Sequence, residues 1–160
     1  SKLHIKSLDG NHKAIFSTAV VYRAGTDEKI KKASGSNPRF TLLPGVYDVK
    51  VTCSPIKTDK WLRNIVLKAG DQIEKQVYFA FGKIKVTGVG PDGKKLYLGV
   101  TVYPAGSSDM IHRSTGGSPR FTLKPGACDI SIRVSSLKAE KWLRGVAIED
   151  GADIQQKVQF

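Results

Sequence analysis

Arg39-Phe40-Thr41-Leu42-Leu43-Pro44-Gly45-Val46-Tyr47-Asp48-Val49-Lys50-Val51-Thr52-Cys53 is the stretch that decides the fold. After Pro44-Gly45, residues Tyr47, Val49, Val51 and Cys53 fall on one phase, and Asp48, Lys50 and Thr52 on the other. Period two of this kind marks a half-buried strand with one face on a core and one toward water. Pro44-Gly45 predicts a tight turn, the proline presetting φ and the glycine supplying the positive φ of a type II turn. The same stretch returns at an offset of 81 as Arg120-Phe121-Thr122-Leu123-Lys124-Pro125-Gly126, followed by Cys128, Ile130, Ile132 and Val134 in the apolar phase. The register holds without a gap from Ser1 to Phe79 against Gly82 to Phe160, with 26 of 79 positions identical. A repeat near 80 residues is the size of a small domain rather than of a solenoid unit. The chain is therefore expected to be two copies of one module, residues 1–80 and 81–160.

The rest of each module also reads as strands. Leu3 to Lys6 and Ile84 to Thr87 alternate, and Asp9-Gly10-Asn11-His12 and Gly90-Pro91-Asp92-Gly93 supply turn chemistry. Ile15 to Tyr22, with Ile15, Ala19 and Val21 on one face, matches Leu96 to Tyr103; polar segments at 29–34 and 110–115 follow. Trp61 to Leu67 and Ile73 to Phe79 complete the first module around an Ala69-Gly70-Asp71 turn. No segment carries a 3.6-residue period over ten residues. Seven short strands per module predict an all-β chain: two tandem seven-stranded Greek-key β-sandwiches.

Hydrophobic residues at 40% and charged residues at 25% suit two modest cores. No apolar run approaches the length of a membrane span. We read no signal-peptide pattern in these residues, and the bounds of the repeats lead us to expect a piece of a longer protein. Cys53 aligns with Val134 and Cys128 with Tyr47, so neither cysteine is repeated, and both read as small core residues. Charge is the strongest compositional signal: 26 Lys and Arg against 14 Asp and Glu give +12, and both modules are basic. Such a field attracts polyanions, although lysines on a β-surface also discourage edge-to-edge pairing.

The repeat offers an internal control for chemistry, because a group needed by each copy should recur. His4, His12 and His112 align with Lys85, Gly93 and Lys31, so no histidine does. The sequence contains no HExxH, GxSxG or P-loop motif. The reading is a non-enzymatic chain with no cofactor and no metal; carboxylates such as Asp27, Glu28, Asp71 and Glu74 are mostly lost in the second copy. What does recur is Lys60-Trp61-Leu62-Arg63 as Lys141-Trp142-Leu143-Arg144, holding both tryptophans of the chain. An indole beside cations suits stacking on a sugar or base together with contact to an acidic group, which makes Lys60, Trp61, Arg63, Lys141, Trp142 and Arg144 the candidate ligand-binding residues. The competing expectation is that Trp61 shares the phase of Ile65 and Leu67, closing the end of the sandwich while Arg63 snorkels over its rim. Trp142, Val146 and Ile148 repeat that phase, and this core reading is the one we expect.

The run Phe-Thr-Leu-x-Pro-Gly-x-x-Asp-Val/Ile, strongest over 39–51 and 120–132, resembles the carboxypeptidase regulatory-like domains. Those have a transthyretin-like, or prealbumin-like, Greek-key sandwich. The later Trp-Leu-Arg-x-Val/Ile pattern is similar to repeats attached to bacterial von Willebrand factor A-domain proteins. The resemblance implies non-catalytic accessory modules: spacers or interaction regions of a periplasmic, cell-surface or secreted protein. Their partners would be other domains of the parent protein or a protein partner, with an anionic polysaccharide or other polyanion as the alternative ligand. No nucleic-acid-binding motif is present. The isopeptide chemistry of related adhesin sandwiches does not carry over, because the last strand of neither module contains asparagine. Phe79-Ala80-Phe81-Gly82-Lys83 joins the modules without a flexible Gly/Ser spacer, so a stiff joint with Phe81 buried is expected.

Overall fold

A computed structural model describes all residues, 1–160. The chain divides into two units, Ser1–Phe79 and Ala80–Phe160. Unit 1 contains β1 (Lys2–Leu8), β2 (Ser17–Arg23), β3 (Lys29–Gly35), β4 (Arg39–Thr41), β5 (Gly45–Cys53), β6 (Thr58–Leu67) and β7 (Gln72–Tyr78). Unit 2 repeats them as β8 (Gly82–Val89), β9 (Leu98–Pro104), β10 (His112–Gly116), β11 (Arg120–Leu123), β12 (Gly126–Val134), β13 (Ala139–Ile148) and β14 (Asp153–Gln159). The helical content is two single 3-10 turns, Ser54–Ile56 and Ser135–Leu137. No helix is long and apolar enough to cross a membrane.

Each unit is a seven-stranded sandwich. In unit 1 a three-stranded sheet of order β4-β1-β7 faces a four-stranded antiparallel sheet of order β3-β2-β5-β6. The first and last strands run parallel, Leu3 beside Ile73 and Ser7 beside Val77, while β4 lies antiparallel on the other side of β1. The chain thus leaves the small sheet after β1, returns for β4 and finishes there with β7. Unit 2 repeats this as β11-β8-β14 against β10-β9-β12-β13.

The alternation read from the sequence fills the space between the sheets. Leu3, Ile5, Ala19, Val21, Val49 and Val51 are fully buried in unit 1, and Val86, Val100, Val102, Ile130 and Ile132 in unit 2. Phe40 and Phe121 are buried as expected from their motif, and so are Cys53 and Cys128, whose thiols remain free. Desolvation pushes both thiols above the ordinary cysteine range, so they are poor nucleophiles. Among the differences between the two cores is one compensated pair. In unit 1 the Ser7 and Ser17 hydroxyls meet at 2.7 Å; in unit 2 the aligned residues are Gly88 and Leu98. A Cβ at Gly88 would stand 2.9 Å from Leu98 Cδ2, so the glycine makes room for the larger neighbour.

Three sequence expectations need correction. Gly45 does not take positive φ, and Gly126 lies at 142°, away from the type II value. Gly45 already pairs with Leu67 in the ladder, and the Tyr47 hydroxyl holds the loop by donating to the Leu43 carbonyl at 2.6 Å. Asp48 and Asp129, assigned to the water-facing phase, are only 2% and 5% exposed. Trp61 and Trp142 do not share the buried phase of Ile65 and Val146. The last two corrections have one cause, a β-bulge.

Candidate functional site: the outer faces of the four-stranded sheets

Between Tyr47 and Val49 of β5 the register against β6 slips by one: Tyr47 pairs with Ile65, but Val49 pairs with Leu62. The extra residue in β6 is accommodated at Asn64, with φ 55°; unit 2 has the same slip between Cys128 and Ile130, with Gly145 at φ 63°. One inserted residue reverses the phase of everything before it. Ile65 and Leu67 therefore point into the core, whereas Trp61 sits opposite Lys50 on the outside. Trp61 and Trp142 are each 40% exposed.

Asp48 and Asp129 fix this bulge. The Asp48 carboxylate accepts the Gly25 N–H at 3.0 Å, the Asn64 N–H at 2.9 Å and the Arg63 guanidinium at 3.1 Å. Asp129 does the same with Gly106 at 3.0 Å, Gly145 at 2.9 Å and Arg144 at 3.3 Å. Each carboxylate ties the turn after one strand to the bulge of another across the strand between them. The N–H of Gly25, then that of Asn64, hold Asp48 below the ordinary carboxylate range; Arg63 adds to this, against the opposing push of burial. Gly106, Gly145 and Arg144 do so for Asp129.

The anchored arginines then turn back over the tryptophans. The Arg63 guanidinium carbon is 3.9 Å from the Trp61 ring centroid, and that of Arg144 is 4.0 Å from Trp142. Tyr22 packs beneath Trp61 at 5.3 Å and 41°, and Tyr103 beneath Trp142 at 5.6 Å and 33°. Each unit thus carries a tyrosine–tryptophan–arginine stack, with the guanidinium shared between a ring face and a buried carboxylate.

The recurring Lys-Trp-Leu-Arg motif is divided by its strand. Trp61, Arg63, Trp142 and Arg144 come together on the outer faces. Lys60 pairs with Val51 and Lys141 with Ile132, both on the inner phase. Their ammonium groups reach across the open edge of the sandwich to the carbonyls of Tyr78 and Gln159. They also lie over the rings of Phe79 and Phe160, at 5.5 and 5.3 Å. These two lysines close the gap between sheets and do not join the aromatic stacks. What sequence reasoning missed was Tyr22, Tyr103, Asp48 and Asp129; their identity in both copies was the available signal. No group of three or more His, Cys, Asp and Glu converges anywhere in the chain in a way that could hold a metal.

No family model matches the chain, and no curated protein matches it in sequence. The resemblance to carboxypeptidase regulatory-like domains accordingly rests on the repeated Phe-Thr-Leu-x-Pro-Gly-x-x-Asp-Val/Ile motif and the strand order, with no sequence match behind it. Among solved structures the chain is similar to the Bacillus anthracis TIE protein, with a TM-score of 0.44 and 18% identity over 99% of this chain and 33% of that one. It is also similar to a streptococcal ancillary pilin (TM-score 0.39, 11% identity, 98% of this chain, 62% of that one). A third is the tip fimbrial protein Mfa3 from Porphyromonas gingivalis (TM-score 0.40, 10% identity, 89% and 81%). The chain spans about a third of the TIE protein and under two thirds of the pilin. All three TM-scores lie below 0.5.

Proposed function

We propose that the chain is a non-catalytic accessory module of a larger bacterial extracytoplasmic or surface protein, acting as a spacer and interaction region. It meets other domains or a protein partner through the outer faces of its four-stranded sheets. The observation that supports this reading is the duplicated tyrosine–tryptophan–arginine stack, held half-exposed by a buried carboxylate in both units. Partly exposed, pre-ordered Trp, Tyr and Arg are the residue types that dominate interaction hot spots. The two acids whose titration is perturbed are saturated by backbone N–H groups and are not available as general acids. Photo-crosslinking from benzoylphenylalanine placed at Trp61 or Trp142 of the parent protein, in the producing cell, tests the reading. Adducts to a defined neighbouring domain or partner are expected, and the absence of adducts from both positions would refute it.

A second reading is favoured by the same exposure: the stacks and the net charge of +12 hold an acidic polysaccharide. Retention on an acidic-glycan column should then fall on Trp61→Ala and Trp142→Ala and weaken steeply with salt. Retention unchanged by both substitutions would refute this second reading.

A further inference from the structure

The two outer faces differ at their centres. In unit 1 Lys50 projects beside Trp61 and pairs with Asp59 at 3.5 Å. In unit 2 the aligned residue is Ser131, and Gly99 stands where unit 1 has Thr18. An added Cβ at Gly99 would meet only the Arg133 carbonyl oxygen, at 3.8 Å, so the space above it is open. With both larger side chains replaced, a groove of about 630 Å³ lies along this face, bordered by Tyr97 and Trp142.

Its lining combines flat rings with polar groups and contains no aliphatic side chain. Tyr97 is 69% exposed, and its hydroxyl donates to Thr115 Oγ1 at 3.1 Å, which fixes the edge of the ring. Glu140 accepts from the Ser131 hydroxyl at 3.1 Å and from Arg133 at 3.3 Å. Arg113, exposed on the adjoining edge strand β10, has no carboxylate paired with it. Two guanidinium groups against one carboxylate leave the groove one positive charge in excess.

We propose that this groove binds an acidic saccharide, one carrying a uronate carboxylate. The C–H face of a pyranose would lie on Tyr97 with the uncovered edge of Trp142 bordering it, its hydroxyls would exchange hydrogen bonds with Ser131, Thr115 and Glu140, and its carboxylate would pair with Arg113, an arrangement suited to bidentate recognition. Pre-formed aromatic walls with a few convergent polar groups are the general form of such sites. An aliphatic peptide side chain would find no aliphatic wall in this groove. The proposal rests on the polysaccharide reading above and narrows it to unit 2.

The test is an NMR titration of the intact chain with oligosaccharides of galacturonate, hyaluronan and alginate, beside maltohexaose and polyglutamate as neutral and non-sugar controls. At least one uronate probe should shift resonances around Gly99, Thr115 and Trp142. Gly99→Leu, whose Cβ has ordinary clearance from the Arg133 carbonyl and whose side chain fills the groove, and Arg113→Ala should each weaken that binding tenfold or more. Equal binding of maltohexaose or polyglutamate would overturn the assignment of an acidic sugar. Loss on Trp61→Ala with none on Gly99→Leu would overturn the groove and leave the broader polysaccharide reading standing. Failure of every uronate probe would overturn the uronate groove, while retention on the acidic-glycan column decides the broader reading separately.

Discussion

Replacing Gly145 by valine probes the bulge that turns Trp142 outward. Gly145 lies at φ 63°, and a Cβ built there meets nothing within 4 Å. The cost is therefore one of backbone conformation and not of collision. Forcing an L-residue into the left-handed region costs roughly 1–2 kcal/mol, and a β-branched side chain sits at the upper end. Unit 2, Ala80–Phe160, is in the size range where 1 kcal/mol moves Tm by about 4–8 °C. The transition of that unit should accordingly fall by roughly 4–16 °C in calorimetry of the full chain. Gly99→Ala is the control: it adds a side chain to an outward strand position with ordinary clearance and no positive φ, so its transition should stay within a few degrees. If Gly145→Val melted with the wild type, the left-handed bulge would not be the conformation that sets the phase of β13.

Two other outcomes follow from the packing and the buried acids. Phe40→Ala and Phe121→Ala should each cost roughly 3–5 kcal/mol through cavity formation in their respective units, measured by denaturant titration; an unmoved midpoint would place that ring outside the core, against its burial. Asp48 and Asp129 titrate lower in the folded than in the unfolded chain, so their contribution is present above the unfolded carboxylate pKa of about 4 and is lost as pH falls through the folded value. Acid titration of Tm should show this loss, and Asp48→Asn with Asp129→Asn should flatten the curve below pH of about 4; an equally steep double variant would contradict the assignment.

The strands, their order along the chain and the buried phases of β5 and β12 were legible because period two is a direct consequence of pleating. The same rule misled at β6 and β13, since it assumes an unbroken ladder. Counting back from Ile65 puts Trp61 in the core; one extra residue at Asn64 puts it outside. The signal was present in the pairing of Asn64 with Gly145, two residue types that tolerate the left-handed region, at matching places in otherwise regular strands. Alternation alone puts Asp48 and Asp129 toward water; the aspartate kept at this position in both copies was the only signal of their anchoring role. The groove of unit 2 was not legible, because it arises from Gly99 and Ser131 lying on neighbouring strands across a register that the sequence does not reveal.

Acrylamide quenching of the two single-tryptophan variants, Trp61→Phe and Trp142→Phe, tests the outward aromatic faces most directly. Each variant leaves one indole that is 40% exposed beneath a guanidinium. Both should be readily quenched in the native chain, with emission toward the wavelength of hydrated tryptophan. Blue-shifted emission shielded from acrylamide until the chain unfolds would place the indoles in the core and contradict the bulge, the stacks and the binding faces together.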